Sequence, residues 1–231
     1  MQLPNASMNR APTRRLRQAF YRLFDAACAA AGLLLLMPIL TTLALVILWD
    51  DGPPVLFSQM RVGKRGKQFR IWKFRTMHAG SQGSVVTAAG DGRITRFGAV
   101  LRRCKLDELP QLFNVFKGDM SLVGPRPEAP EYVQLEAPIW QAVLQVRPGI
   151  TDLASLLYRD EEKLLAMSGD LNTFYRESVL PAKLVLNLEY LRSRSFPQDL
   201  TLILLTIHYS LFPERFDPDL IKRTLGKRAH A

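Results

Sequence analysis

The chain has 231 residues, is 48% hydrophobic and 23% charged, and carries a formal net charge of +10. That length suits one domain with a real core, and the apolar content excludes a disordered chain. Two cysteines, Cys28 and Cys104, exclude a disulfide framework and fit free thiols in a reducing compartment.

In chain order, a basic N-terminal segment (1–21) is followed by an apolar segment (22–50), a main domain (51–212) and a basic C-terminal tail (213–231). Residues 26–49 hold no charge over 24 positions, long enough to cross a bilayer as one helix. A cleaved leader does not fit, because Trp49-Asp50-Asp51 offers no small-residue cleavage site. Crossing meets two objections. Pro38 lies near the midpoint, where it removes a backbone hydrogen bond and predicts a sharp kink. Both flanks are also positive: Arg10, Arg14, Arg15, Arg17 and Arg22 precede the run, and seven Lys/Arg lie between Arg61 and Arg75. The positive-inside bias draws both ends to one face. A helix broken at Pro38 that dips in and returns satisfies both constraints, each arm reaching about 18 Å. Thr41 and Thr42 are expected to bond the carbonyls that the kink frees.

Pro53 to Phe57 reads as an extended exit, and 61–77 as a hairpin turning at Gly63 and Gly66. Phe69, Ile71 and Phe74 should give it an apolar face, with Arg70, Lys73 and Arg75 on a cationic one. Residues 79–92 are a small-residue loop, and 93–106 a basic amphipathic helix. Between Gly52 and Leu106 there are twelve Lys/Arg against one acid, Asp91, an excess that favours an anionic partner.

Leu109, Leu112, Phe113 and Phe116 recur at helical spacing, so 108–117 reads as a helix with that stripe buried and Gly118 as its stop. Pro110 is tolerated in the first turn, which puts Asp107 at or beside the N-cap and Glu108 in the first turn. Two carboxylates at a helix start can simply cap it. They can equally hold a hard cation that bridges a phosphate. Downstream, Pro125 and Pro127 fix the backbone around Arg126, a residue suited to bidentate phosphate binding. Arg147-Pro148-Gly149 makes a further rigid turn. Residues 152–167, 174–192 and 199–212 read as helices, the last in the core or at a lipid interface. The three histidines show no metal-ligand spacing.

Taken in order, RLFD (22–25), the proline-broken segment, 52–77, 106–127 and VRPGIT (146–151) resemble the bacterial sugar transferase family, the monotopic phosphoglycosyl transferases. The resemblance runs from about Arg22 to about Thr206. It implies a mainly helical α+β protein: a monotopic membrane protein with a re-entrant helix, and a catalytic domain with a short hairpin and interface helices. The implied location is the cytoplasmic face of a bacterial inner membrane. The implied reaction is magnesium-dependent transfer of a sugar 1-phosphate from a UDP-sugar to undecaprenyl phosphate, releasing UMP. This would be the first membrane step of exopolysaccharide, capsule, O-antigen or glycoprotein glycan assembly. By the same resemblance Asp107 is the nucleophile, Glu108 the magnesium ligand, and Lys73, Arg75, Arg126 and Arg147 bind phosphate. Pro125, Pro127, Pro148 and Gly149 support the turns. Asp152 and Ser155 depart from the family pattern after the Arg147 turn. Membrane lipid is an expected partner, nucleic acid is not, and a homodimer stays open as an assembly. Two rival readings remain: a helix that crosses fully, and a non-catalytic, membrane-anchored module that binds nucleic acid through Phe69, Trp72 and Phe74 among the basic residues.

Overall fold

A computed structural model describes residues 11–226 apart from 82, 84 and 85, with side chains from Arg15 onward. Residues 1–10 of the basic N-terminal segment, 227–231 of the tail and part of the 79–92 loop lie outside the described residues. The fold is mainly helical, with two small two-stranded sheets.

Helix α1 (Ala11–Leu35) runs without interruption through the basic segment into the apolar stretch and meets α2 (Met37–Asp51) at a 60° bend. Among the described residues no single helix is long and apolar enough to cross a membrane. The bent pair together has the length and composition of a broken span or a re-entrant loop. The break falls at Leu36, two residues before Pro38, which occupies the first turn of α2. The proline ring excludes the carbonyl of residue i−4, so the strain lands upstream of the proline itself. Thr41 and Thr42 donate to Met37 O and Pro38 O, both at 2.9 Å. These carbonyls belong to α2's own ladder, so the expectation that the threonines serve the freed carbonyls is corrected.

Strands β1 (Leu56–Val62) and β2 (Gln68–Phe74) form the expected antiparallel hairpin, closed by a 3₁₀ turn over Lys64–Gly66. Phe69 and Ile71 pack with Ala29, Val115 and Met120. The cationic residues do not share one face: Arg70 is exposed, Arg75 is buried, and Lys73 continues the inward alternation of Phe69 and Ile71. Helix α3 (Arg96–Arg103) is shorter than 93–106 and is capped by Thr95, whose hydroxyl accepts from Gly98 N at 2.8 Å.

The acidic pair lies outside the following helix. Leu106–Glu108 form a 3₁₀ turn, and α4 (Gln111–Lys117) starts three residues later than expected, with Pro110 in the N-cap position. Without an N–H on Pro110 the chain closes shorter bonds, Leu109 N to Leu106 O at 3.3 Å and Leu112 N to Leu109 O at 3.0 Å. The apolar stripe is divided: Phe113 is 51% and Phe116 49% exposed, Leu109 is half-buried, Leu112 packs against the cluster of Ala29, Val115 and Met120, and Gln111, Asn114 and Val115 are buried. Asn114 sets this phase. Its side chain accepts from Trp72 N at 3.2 Å and donates to Arg70 O at 2.8 Å, which staples the polar face of α4 to β2. Gly118 ends α4 in the left-handed conformation, as its position suggested.

Strands β3 (Ser121–Val123) and β4 (Gly149–Thr151) pair in parallel and hold two loops back to back. Gly124 N donates to Thr151 O and Gly149 N to Pro125 O, each at 3.0 Å. Helix α5 (Pro138–Val143) precedes β4. The single helix expected over 152–167 divides into α6 (Leu153–Leu157) and α7 (Glu161–Ala166) around a turn. Helix α8 (Leu171–Phe174) continues through a π turn into α9 (Leu180–Ser193). Helix α10 (Phe196–Leu211) starts earlier than 199 because Ser195 N donates to Gln198 Oε1 at 3.1 Å and caps it. Helix α11 (Pro218–Gly226), within the segment read as a tail, buries Ile221 and Leu225 against Leu202 and Tyr209.

A Cβ at Gly149 would overlap Gly124 N and lie 2.7 Å from Val123 C. Gly149→Ala is therefore expected to lower unfolding stability by about 2 kcal/mol or more through overpacking against rigid backbone. Chemical denaturation beside the wild type measures this.

Candidate active site

Three chain segments meet at Glu108. The 3₁₀ turn presents its buried carboxylate, β2 brings Lys73, and the 124–127 loop brings Arg126. Lys73 Nζ donates to Glu108 Oε1 at 3.0 Å. The Arg126 guanidinium takes the same carboxylate with both terminal nitrogens, one on Oε1 and the other at 3.2 Å on Oε2. Asp107, next in the turn, is equally buried, and its Oδ1 has no hydrogen-bond partner.

These surroundings push the two acids apart. Burial raises the Asp107 pKa and the neighbouring Glu108 charge adds to this, with Lys73 opposing. Burial acts the same way on Glu108, but Arg126 and then Lys73 outweigh it and hold Glu108 well below the usual carboxylate range. Burial lowers the Lys73 pKa against the pull of Glu108, whereas Glu108 raises that of Arg126. Glu108 is thus the neutralised, fixed charge, and Asp107 the one with an unengaged oxygen.

The Arg126 loop is clamped from below. Asp152 Oδ2 accepts from Arg126 N at 2.7 Å, and Asp152 Oδ1 accepts from Ser155 N at 2.6 Å while capping α6. Asp152, one of the two departures after VRPGIT, therefore holds the backbone of the arginine loop, and Ser155, the other, orients the Asp152 carboxylate. Pro125 and Pro127 flank Arg126 directly, and Pro148 O accepts from Ser121 N at 2.8 Å beneath them.

The other two expected phosphate-binding cations lie elsewhere. Arg75 bonds the carbonyls of Asp51 and Gly52 at 2.9 and 2.6 Å and the Asp51 carboxylate at 3.1 Å, closing the end of α2. Arg147 Nε donates to Gly118 O at 3.0 Å, beyond the far end of α4. Side chains that sequence reasoning missed come in from further along the chain. Arg61 sits 3.8 Å from Glu128, and Lys183 lies 4.0 Å from Glu128 and 2.8 Å from Glu161. Glu128 and Lys183 are 55 positions apart, so only the tertiary fold pairs them. Gln111 carried one usable signal, its place one turn after Asp107.

Two further residues tie this site to the bent helices. Arg22 donates to Val115 O at 2.8 Å and Phe116 O at 2.6 Å, capping the end of α4. Asp25 accepts from Ser121 Oγ at 2.6 Å and from Leu122 N at 3.1 Å on β3.

Adjacent buried carboxylates, one with an unengaged oxygen, are hard donors that suit magnesium, which takes few protein ligands and fills its shell with water and phosphate. Among the described residues no group of three or more His, Cys, Asp or Glu is assembled, so a cage of protein ligands alone is not built there.

A sequence model described as bacterial sugar transferase matches residues 16–213. The chain is 38% identical over 191 residues to the UDP-glucose:undecaprenyl-phosphate glucose-1-phosphate transferase of Caulobacter vibrioides, covering 80% of this chain and 67% of that one. It is 38% identical over 200 residues to the undecaprenyl-phosphate glucose phosphotransferase of Komagataeibacter xylinus, covering 83% of this chain but 36% of that one. It is 43% identical over 118 residues to a putative undecaprenyl-phosphate N-acetylgalactosaminyl 1-phosphate transferase of Bacillus subtilis, covering 50% and 66%. The chain thus spans between about a third and two thirds of the length of these relatives.

The asymmetry between the acids is testable by stability. Glu108→Gln strips two half-buried cations of their counter-charge around a buried position and is expected to cost about 2–3 kcal/mol. Asp107→Asn removes a buried charge and is expected to keep or raise the melting temperature at pH 7. Because the folded-state pKa of Asp107 is raised, its penalty applies above that pKa and fades as pH falls through it. The advantage of Asp107→Asn over wild type should therefore shrink on acidification. Thermal unfolding of both variants across pH checks the pair.

Proposed function

The chain belongs to the bacterial sugar transferase family, and on that premise we propose that it transfers a sugar 1-phosphate from a UDP-sugar to undecaprenyl phosphate, releasing UMP. The observation that carries this reading is the unpartnered, buried Oδ1 of Asp107 beside a carboxylate already neutralised by Lys73 and Arg126. In the first step Asp107 attacks the phosphorus that bears the sugar. The bond to the bridging oxygen breaks, and UMP departs with the electron pair. In the second step an oxygen of the lipid phosphate attacks the same phosphorus and the aspartate leaves. Two displacements let a soluble nucleotide and a lipid use one site in turn. Lys73 and Arg126 are placed to meet phosphoryl charge as it develops, in a site where burial strengthens their field. Magnesium, for which Glu108 is the side chain that would serve as ligand, would supply further positive charge there.

The bent helix pair is read as a re-entrant anchor in the cytoplasmic membrane, with the catalytic domain on the cytoplasmic face. Supporting this, its apolar side chains lie uncovered, Leu35 77% and Trp49 89% exposed. Phe113 and Phe116 extend that apolar surface onto α4, beside α1, which supports a headgroup depth for the catalytic turn. The nucleic-acid reading loses support from side-chain pairing. Among the described residues, at least six of the twelve basic residues in its block (Arg61, Lys73, Arg75, Arg93, Arg102 and Arg103) face carboxylates.

Asp107→Ala is expected to lower UMP release at least a thousandfold with undecaprenyl phosphate and a panel including UDP-glucose and UDP-N-acetylgalactosamine, while the protein still sediments with membranes. Chelation of magnesium with EDTA should abolish turnover, and added magnesium should restore it. Turnover by Asp107→Ala at the wild-type rate would overturn the reading.

A further inference from the structure

Two buried donors without hydrogen-bond partners belong to residues that line one cleft next to Lys73 and Arg126, the partners of Glu108. Gln111 is only 2% exposed, and its Nε2 has no partner. Arg61 Nε is likewise buried and unpartnered. Both residues line a cleft of about 10 Å³ together with Ile71, Lys73, Arg126 and Pro127. The rest of the Arg61 guanidinium is already committed. One terminal nitrogen donates to Pro127 O at 3.4 Å and faces Glu128 at 3.8 Å, and the other donates to Gln59 Oε1 at 2.8 Å. Those contacts fix the plane of the group and leave Nε over. Gln111 stands one helical turn beyond Asp107, at the start of α4.

The polar side chains of this cleft are the cations Arg61, Lys73 and Arg126 and the amide of Gln111. The nearest carboxylate, Glu108, is taken up by Lys73 and Arg126. A water-sized space bordered by three cations suits a single anionic oxygen better than a whole phosphate. We propose that Arg61 Nε and Gln111 Nε2 form a subsite for one phosphoryl oxygen of the substrate, adjoining the phosphorus that Asp107 attacks. This deepens the transferase reading and rests on it. The oxygen comes either from the phosphoryl group that leaves with the nucleotide or from the phosphate of the lipid acceptor, and the two sources separate by experiment.

Gln111→Met keeps the side-chain length and removes the unpartnered donor. A group retained only for packing would lose nothing in binding. A ligand donor left unpaired in the free protein gives the opposite signature, because its apolar replacement is neutral or stabilising while the bound state suffers. The full chain in detergent or membranes, as wild type, Gln111→Met and Arg61→Lys, is titrated with inorganic phosphate and with UMP, and each protein is also melted. Gln111→Met is expected to melt at or above wild type and to bind UMP about 10- to 100-fold more weakly. Arg61→Lys, which keeps the charge and loses Nε, should weaken UMP binding in the same direction. In steady-state assays a raised KM for the UDP-sugar assigns the oxygen to the leaving nucleotide, and a raised KM for undecaprenyl phosphate assigns it to the acceptor. A Gln111→Met protein that melts below wild type overturns the subsite, as does one that binds UMP and both substrates as wild type does. Anion binding is read without turnover, so a wild type that fails to release UMP would sink the transferase reading separately.

Discussion

The arrangement hangs on one carboxylate held by two cations. Glu108 joins Lys73, 35 positions before it, and Arg126, 18 positions after it, so a strand, a 3₁₀ turn and a proline-bounded loop converge on a single side chain. A buried ion pair is weak evidence of stability, since desolvation offsets much of its Coulomb energy. Here its consequence is division of labour. Glu108 is kept charged and occupied, and Asp107 is left buried with an oxygen that touches no donor. Two neighbouring acids of nearly equal intrinsic strength acquire different chemistry from their surroundings alone.

That geometry would be slack without the supports beneath it. The backbones of Gly124 and Gly149 approach so closely that neither admits a side chain, and Asp152 holds the amide of Arg126 from the other side. Arg22 and Asp25 then bind the end of α4 and the start of β3 to α1. The bent apolar helices and the acidic turn therefore form one rigid frame. Under the proposed re-entrant reading, the depth at which those helices settle in a lipid layer would fix the height of Asp107 relative to a substrate confined to headgroups.

Much of this frame was legible in the residues because the signals were local. Gly118 stops α4, Gly66 helps turn the hairpin, and Pro38 breaks the apolar run, each through backbone chemistry that a single residue imposes. What escaped depended on partners distant in sequence. Apolar spacing suggested that Leu109, Leu112, Phe113 and Phe116 face the core, and Leu112 does, but Asn114 bonds the β2 backbone and leaves Phe113 and Phe116 outward, where a membrane would cover them. The family resemblance gave Arg75 and Arg147 the same phosphate-binding part as Lys73 and Arg126. Each instead closes a helix or turn through backbone carbonyls, a role that appears only once the fold brings those carbonyls near. The Pro110 that marked a helix start also delayed it, because a residue without N–H leaves room for a 3₁₀ turn before the helix proper.

The central claim, that the carboxylate of Asp107 carries the phosphosugar, is met most directly by trapping it. The purified protein is incubated with UDP-sugar and magnesium but no lipid acceptor, quenched, and digested for mass spectrometry. The account predicts that the peptide holding Asp107 gains the mass of one sugar phosphate on that residue, and that undecaprenyl phosphate added before the quench removes it. An unmodified Asp107 under conditions where UMP accumulates, or the adduct on a different residue, would contradict it.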